Sequence, residues 1–285
     1  MPKTYNEIYI RTRKKLRDRG IEAASLEARL IIAHASGKST EQFLRDMNLY
    51  TSEAVAAVVS ELTERRLGGE PVAYITGSWE FYGLPIIVTR DVLIPRNDTE
   101  LLAETAITAL KGRKMDARVI DLCTGSGCIG CAIAHELPAT HVVLSDKSRA
   151  ALRTAKQNVM KLKLNPRVTC VELDALAQPP LMLGSFDLLT CNPPYIPSAD
   201  IETLDPSVKD YEPHAALDGG EDGLDFYRAI LRLWHNVVRV GGLMIFEVGI
   251  GQAVDVMELM REAGLKNVGC VKDTQEIDRV VFGNV

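Results

Sequence analysis

Arg118-Val119-Ile120-Asp121-Leu122-Cys123-Thr124-Gly125-Ser126-Gly127 runs a short apolar strand into a glycine-rich loop. Glycines let a backbone approach a bound group closely and expose N–H groups where a helix begins. The residues from about Ile129 to His135 read as that helix. Strand, glycine loop and helix in this order form the first unit of a doubly wound sheet.

Outward from this stretch, strands and helices keep alternating. A helix spans about Asp98 to Leu110, upstream of the first strand. Downstream lie strands at His141 to Leu144, Arg167 to Val171 and Phe186 to Cys191, with a helix from Ser148 to Leu164. A helix at Phe226 to Val238, a strand at Leu243 to Val248, a helix at Ala253 to Ala263 and closing strands near Val268 to Val271 and Arg279 to Phe282 complete the series. The pattern predicts an α/β fold, a doubly wound and mostly parallel seven-stranded sheet whose ligands bind at the carboxyl ends of the strands.

The first seventy residues read as helices alone. Thr4-x-x-Glu7 and Ser39-x-x-Gln42 are capping-box patterns, Ser52 starts a further helix, and Gly37 and Gly68-Gly69 stop two of them. The expected organisation is a helical bundle over 1–70, a β-hairpin linker over 71–96 drawn from the β-prone runs Ala73 to Gly77 and Phe81 to Val88, and the sheet domain over 97–285.

Composition narrows the setting. Among 285 residues, 46% are hydrophobic and 25% charged, and the net charge of −5 argues against broad non-specific nucleic-acid binding. The basic run from Arg11 to Arg19 reads as a solvated helix face and as one candidate contact patch. Met1 to Tyr5 lacks the apolar core of a signal peptide, and no window reaches the ~20 apolar residues of a membrane span. A cytoplasmic protein with reduced cysteines is expected. Cys128-x-x-Cys131 has no second pair or histidine at metal-site spacing, so small packing side chains are the default reading, with redox chemistry as the rival.

Candidate chemistry gathers at the strand ends. Gly125-x-Gly127-x-x-Gly130 matches the dinucleotide fingerprint, and Asp146 ends the next strand as a ribose-binding acid does. This leaves NAD(H) and other adenosine-type cofactors open. Asp146 has a rival role, capping the helix near Ser148. Asp174 or the Ala175 backbone is placed to meet an adenine amino group. At the fourth strand end, Asn192-Pro193-Pro194-Tyr195 breaks the ladder, because two prolines cannot continue it. An amide, unpaired carbonyls and a ring are left there, a set suited to holding a planar amide or amine.

Asp121-x-x-Thr124-Gly125-Ser126-Gly127, Asp146 and Asn192-Pro193-Pro194-Tyr195 together resemble a class I S-adenosylmethionine-dependent methyltransferase acting on amide or exocyclic nitrogen. Glu70 to Gly77, Glu80-Phe81-Tyr82, Ile94 to Glu100, Tyr211-Glu212-Pro213, Glu247-Val248-Gly249-x-Gly251-Gln252 and Ile277 to Val280 narrow the resemblance to the peptide chain release factor glutamine methyltransferases, over nearly the whole chain. The resemblance implies S-adenosylmethionine as cofactor, held by Asp121, Cys123, Thr124, Gly125, Ser126, Gly127, Asp146, Asp174, Ala175 and Asn192. It implies catalysis by Asn192, Pro193, Pro194 and Tyr195, without a metal. The implied substrate is the glutamine amide of the Gly-Gly-Gln motif in class I release factors. Asn192 Oδ1 and the Pro193 carbonyl would accept the two amide hydrogens, with Tyr195 against the amide plane. A monomer without DNA or membrane partners is expected.

Two positions depart from the family pattern. Cys123 stands where a glycine is usual, at a loop position expected to tolerate negative φ, and Asn97 replaces a proline, where it is expected to cap the following helix. The rival functions are an N6-adenine-type methyltransferase acting on nucleic acid, a nicotinamide dehydrogenase, and a nucleotide-binding adaptor without turnover.

Overall fold

In the computed structural model, which describes residues 3–111 and 116–285, Thr4 and Glu7 close a reciprocal capping box on α1 (Tyr5–Asp18). Ser39 and Gln42 do the same for α3 (Thr40–Arg45), which follows α2 (Ala24–Ala35). Ser52 caps α4 (Glu53–Leu67) through its side chain. Residues up to Ser78, with Asp205–Tyr211, form one compact unit. Its core is Leu16, Ile31, Ile32, Phe43, Val59 and Leu62, all buried. Arg11, Lys14, Arg17 and Arg19 point to solvent, and Lys15 pairs with Glu64 at 2.7 Å. Met1 and Pro2 lie outside the described residues.

One expected element changes type. Residues 73–76, read as β-prone, lie in a short helix, α5 (Val72–Thr76), between Pro71 at its N-cap and left-handed Gly77 (φ +68°) at its C-cap. Four of its five side chains are buried, and burial on several sides suits a helical turn better than a half-exposed strand. The hairpin is confined to β1 (Ser78–Phe81) and β2 (Leu84–Ile87).

The second unit, Trp79–Leu204 with Glu212–Val285, holds the sheet. After α6 (Glu100–Lys111), β3 (Arg118–Leu122) leads to α7 (Cys128–Glu136), β4 (His141–Asp146), α8 (Arg149–Lys161), β5 (Val168–Glu172) and β6 (Phe186–Cys191). Helix α9 (Pro206–Lys209) belongs to the first unit. Then come α10 (Asp225–Leu233), β7 (Val238–Glu247), α11 (Ala253–Glu262), β8 (Lys266–Lys272) and β9 (Asp278–Asn284). The seven strands run in the order β5-β4-β3-β6-β7-β9-β8. All neighbours are parallel except β9, antiparallel to both β7 and β8. The order reverses between β3 and β6, the position at which such sheets open a crevice for ligands.

Register brings the functional ends together: Leu122 lies beside Cys191, Asp146 beside Glu172, and Cys191 beside Phe246. Beneath them Trp234, Tyr227, Phe186 and Phe246 are fully buried. No helix among the described residues is long and apolar enough to cross a membrane.

Candidate active site

Glycine geometry shapes the first loop. Gly127 turns the chain into α7 at φ +81°, and an added Cβ there would sit 2.9 Å from Leu144 Cδ1. Cys123 also lies in the left-handed region, at φ +54°. The expectation of a negative φ at this position is therefore corrected. The abrupt exit from β3 requires the left-handed turn whatever residue occupies it, at a cost of ~1–2 kcal/mol for a side chain with a Cβ. Asn97 likewise is not a cap: it is the first residue of a 3₁₀ turn over Asn97–Thr99, whose N-cap is Arg96 and which has no side-chain cap. A residue inside a turn contributes its backbone to that turn, so its side chain is not placed over the free N–H groups.

Buried side chains fasten this loop. Asp121, fully buried, accepts from the Thr124 hydroxyl and from the Thr190 hydroxyl at 2.8 Å. Burial pushes its carboxyl up to about 6, against the pull of those hydroxyls and the Gly130 N–H. Asn158 donates to Ser126 O at 2.9 Å and to Ile87 O at 3.0 Å, tying loop, α8 and hairpin together. Asp146 accepts from Gly125 N at 2.9 Å and Ser148 N at 2.8 Å, and burial raises its pKa. The cap of α8 is Ser148 itself, bonded to Ala151 N. Asp146 instead joins the glycine loop to the turn after β4.

These elements border a cavity of about 750 Å³. Cys123, Thr124, Gly125, Ser126, Asp146, Asp174, Ala175, Asn192 and Pro194 line it. Asp121, Gly127, Pro193 and Tyr195 are not among its lining residues; Asp121 and Gly127 support the loop from below. Asp174 accepts from Leu176 N at 2.9 Å and Lys147 Nζ at 2.8 Å; burial would raise its pKa, but these donors hold it below the usual carboxylate range. The Ala175 carbonyl accepts from Trp234 Nε1 at 3.0 Å, so the indole anchors the wall after β5.

At the end of β6, Asn192 Nδ2 donates to Thr99 Oγ1 at 3.3 Å, which leaves Oδ1 as the amide's acceptor. Tyr195 directs its hydroxyl at Glu247 Oε1, 3.3 Å away, and its carbonyl accepts from Gln252 Nε2 at 2.9 Å. Burial, then the neighbouring Glu247, raise the Tyr195 pKa.

Several residues here entered the sequence reading only through the family resemblance, without a place among the site residues. Arg96 lines the cavity and forms an ion pair with Glu212, whose side chain is 1% exposed and which also accepts from Ile94 N at 3.3 Å. Pro213 to Ala216, Asp218 and Phe226 line the cavity as well, so the loop after Tyr195 returns over it. A polar residue amid an apolar run was the available signal for Glu247, which follows Leu243-Met244-Ile245-Phe246. Cys128 and Cys131 are both buried, and burial pushes the Cys128 thiol up to about 12 and raises that of Cys131. The thiolate that redox exchange requires is thereby suppressed.

Glycine-loop N–H groups at a helix start, two strand-end carboxylates and apolar walls from Leu173, Ala175, Leu176 and Phe226 suit an elongated nucleoside carrying a charged tail. Comparisons with known proteins agree on the family. Residues 7–77 match the family model described as PrmC N-terminal domain, and residues 97–204 match Methyltransferase small domain. The release factor glutamine methyltransferase of Geobacter sulfurreducens is 40% identical over 276 residues, 96% of this chain and 94% of that protein. The protein of the same name from Bradyrhizobium diazoefficiens is 39% identical over 253 residues, 88% of this chain and 84% of its own. Among solved structures, the hMettl16 catalytic domain in complex with a MAT2A 3′UTR hairpin covers 83% of this chain and 84% of its own at 17% identity and a TM-score of 0.57, a likeness of fold alone.

Proposed function

The chain belongs to the release factor glutamine methyltransferases, and on that footing we propose that it methylates the side-chain amide nitrogen of the glutamine in the Gly-Gly-Gln motif of class I peptide chain release factors. The cofactor is S-adenosylmethionine, which supplies an electrophilic methyl group on a sulfonium. Asp146 and Asp174 would hold its ribose and base side, and the Cys123 to Gly127 loop its amino-acid side. The helical domain at 1–70 would recognise the protein substrate.

An amide nitrogen is a weak nucleophile because its lone pair is delocalised into the carbonyl. Asn192 Oδ1, on the cavity wall, would accept an amide hydrogen, orient the nitrogen toward the methyl group and stabilise the positive charge that develops on it. The observation that carries this reading is the fixed Asn192 amide: the bond from Nδ2 to Thr99 sets its orientation and leaves Oδ1 without a protein donor, on the wall shared with the glycine loop and Asp146.

Labelled-methyl transfer to a class I release factor tests it, with DNA and RNA as competing acceptors. Transfer should appear on the Gly-Gly-Gln glutamine, and Asn192→Ala should lower turnover at least a hundredfold while S-adenosylmethionine binding by calorimetry stays nearly intact. Normal turnover in that variant, or labelling of nucleic acid instead, would reject the assignment.

A further inference from the structure

Glu247 is the buried acid that the proposed reaction leaves unused. It ends β7 beside the Asn192 turn and is 1% exposed. Its Oε1 receives the Tyr195 hydroxyl at 3.3 Å, while Oε2 is fully buried with no hydrogen-bond partner. A buried carboxyl with an unsatisfied oxygen costs stability, so its retention calls for a return.

That return is a connection to Asn192. Thr99 Oγ1 accepts from Asn192 Nδ2, so its own hydrogen points elsewhere, and Thr99 stands close enough to Glu247 to pull that carboxyl's pKa down. Tyr195 provides the second link, from the far end of the same tetrapeptide. We infer that Glu247 is a positioning residue for methyl transfer: through the hydroxyls of Thr99 and Tyr195, its carboxylate fixes the Asn192 amide with Oδ1 toward the substrate and strengthens that oxygen as an acceptor. The inference rests on the proposed role of Asn192. An amide whose N–H donates into an anionic chain places more negative charge on its oxygen, and chained hydrogen bonds reinforce one another in a low-dielectric interior.

The surroundings decide when the carboxylate is charged. Asp98 and Thr99 face it from the 3₁₀ turn, Arg279 from β9 and Tyr195 from the turn after β6; Tyr227 of α10 and Cys128 of α7 also feel its charge. Tyr227 donates to the Glu247 backbone carbonyl at 2.8 Å. Arg279 is shared with Asp98 at 3.3 Å and Asp273 at 3.2 Å, so its charge is divided among three acids. Burial pushes Glu247 up to about 7, against the pull of Thr99, Arg279 and Tyr195. Its charge, and with it the acceptor strength of Asn192, grows as pH rises through neutrality.

The test is steady-state methylation of a class I release factor by Glu247→Gln across pH 6 to 9. The expected result is a fall in kcat of about tenfold or more above pH 7.5, the weight of one charge-assisted hydrogen bond, with KM for both substrates within about twofold. The rise of wild-type kcat through about pH 7 should vanish in the variant. Thr99→Val should match it, Thr99→Ser should restore wild-type behaviour, and the Glu247→Gln, Thr99→Val double variant should fall no further than either single one. Wild-type kcat and an unaltered pH profile in Glu247→Gln would overturn the inference. If Asn192→Ala is inactive in the same assay while Glu247→Gln is normal, this inference alone fails; if Asn192→Ala turns over normally, the reading of Asn192 fails with it.

Discussion

Replacing Glu247 by Gln should make the protein more stable at alkaline pH. Burial, with one oxygen unpaired, pushes the folded carboxyl up to about 7 against an ordinary value of 4.5. A carboxyl whose folded pKa is raised stabilises the fold most when protonated. Its contribution is complete below pH 4.5 and is lost as pH rises through 7. A displacement of this size removes roughly 2–3 kcal/mol between pH 5 and 8. Glutamine keeps an acceptor for the Tyr195 hydroxyl and carries no charge at either pH. Wild type and Glu247→Gln should then be near equal at pH 5, and the variant ahead by roughly 2–3 kcal/mol at pH 8. Urea unfolding followed by tryptophan fluorescence reads this directly, since Trp79 and Trp234 both lie in the sheet-bearing unit. Asp121, also raised by burial, contributes its own slope to both proteins and cancels in the difference. Parallel stability-versus-pH curves for the two proteins would refute the reasoning. A variant that gains stability while losing turnover is the mark of a group retained for function.

Three further outcomes are expected. Cys123→Gly should be more stable than Cys123→Ala by about 0.5–1 kcal/mol in urea, since both remove the thiol but only glycine relieves the left-handed φ, less its extra freedom when unfolded. Gly127→Ala should cost roughly 2 kcal/mol more than Gly264→Ala, because both sit at positive φ but only the former meets a side chain at 2.9 Å; S-adenosylmethionine titration should show weakened binding in the former alone. Arg96→Ala strips the guanidinium from the buried Glu212 and should cost ~3 kcal/mol at pH 8. Since burial already raises the Glu212 pKa, the cost should shrink at pH 5 as the acid protonates, and Glu212→Gln should recover most of it. Equal loss at both pH values would show that the pair is not what holds the loop.

The sheet was legible because buried parallel strands announce themselves as short apolar runs between helical repeats, and all seven appear in the expected order along the chain. The cap residues Thr4, Ser39 and Ser52 were legible for a similar reason: their partners lie three residues away. Residues 73–76 misled because an apolar pentapeptide carries no period, and only the flanking Pro71 and Gly77 hold the helical signal. The φ of Cys123 belongs to the turn rather than to the residue, so its identity concealed the strain; the glycine usual at that place in the family was the hint. Arg96 with Glu212, and Thr99 with Glu247, are separated in sequence by a hundred residues or more. Pairs of that kind are produced by the topology and leave only a trace, an acid where an apolar residue is expected.

The Asn-Pro-Pro-Tyr tetrapeptide looks in sequence like four residues of equal standing, and the structure divides their labour. Asn192 and Pro194 line the cavity and Pro193 does not, whereas Tyr195 donates its hydroxyl to Glu247 and accepts at its carbonyl from Gln252. A single amide is therefore held from both ends: Thr99 fixes its nitrogen, and the anchored Tyr195 fixes the turn that follows. Rigidity of this kind lowers the reorganisation needed as charge develops on a weakly nucleophilic amide, and no side chain at the strand end has to abstract a proton before attack. The same economy explains the buried acid. A cluster that acts by orientation needs an electrostatic anchor behind it more than a base in front of it, and Glu247 lies where that anchor belongs.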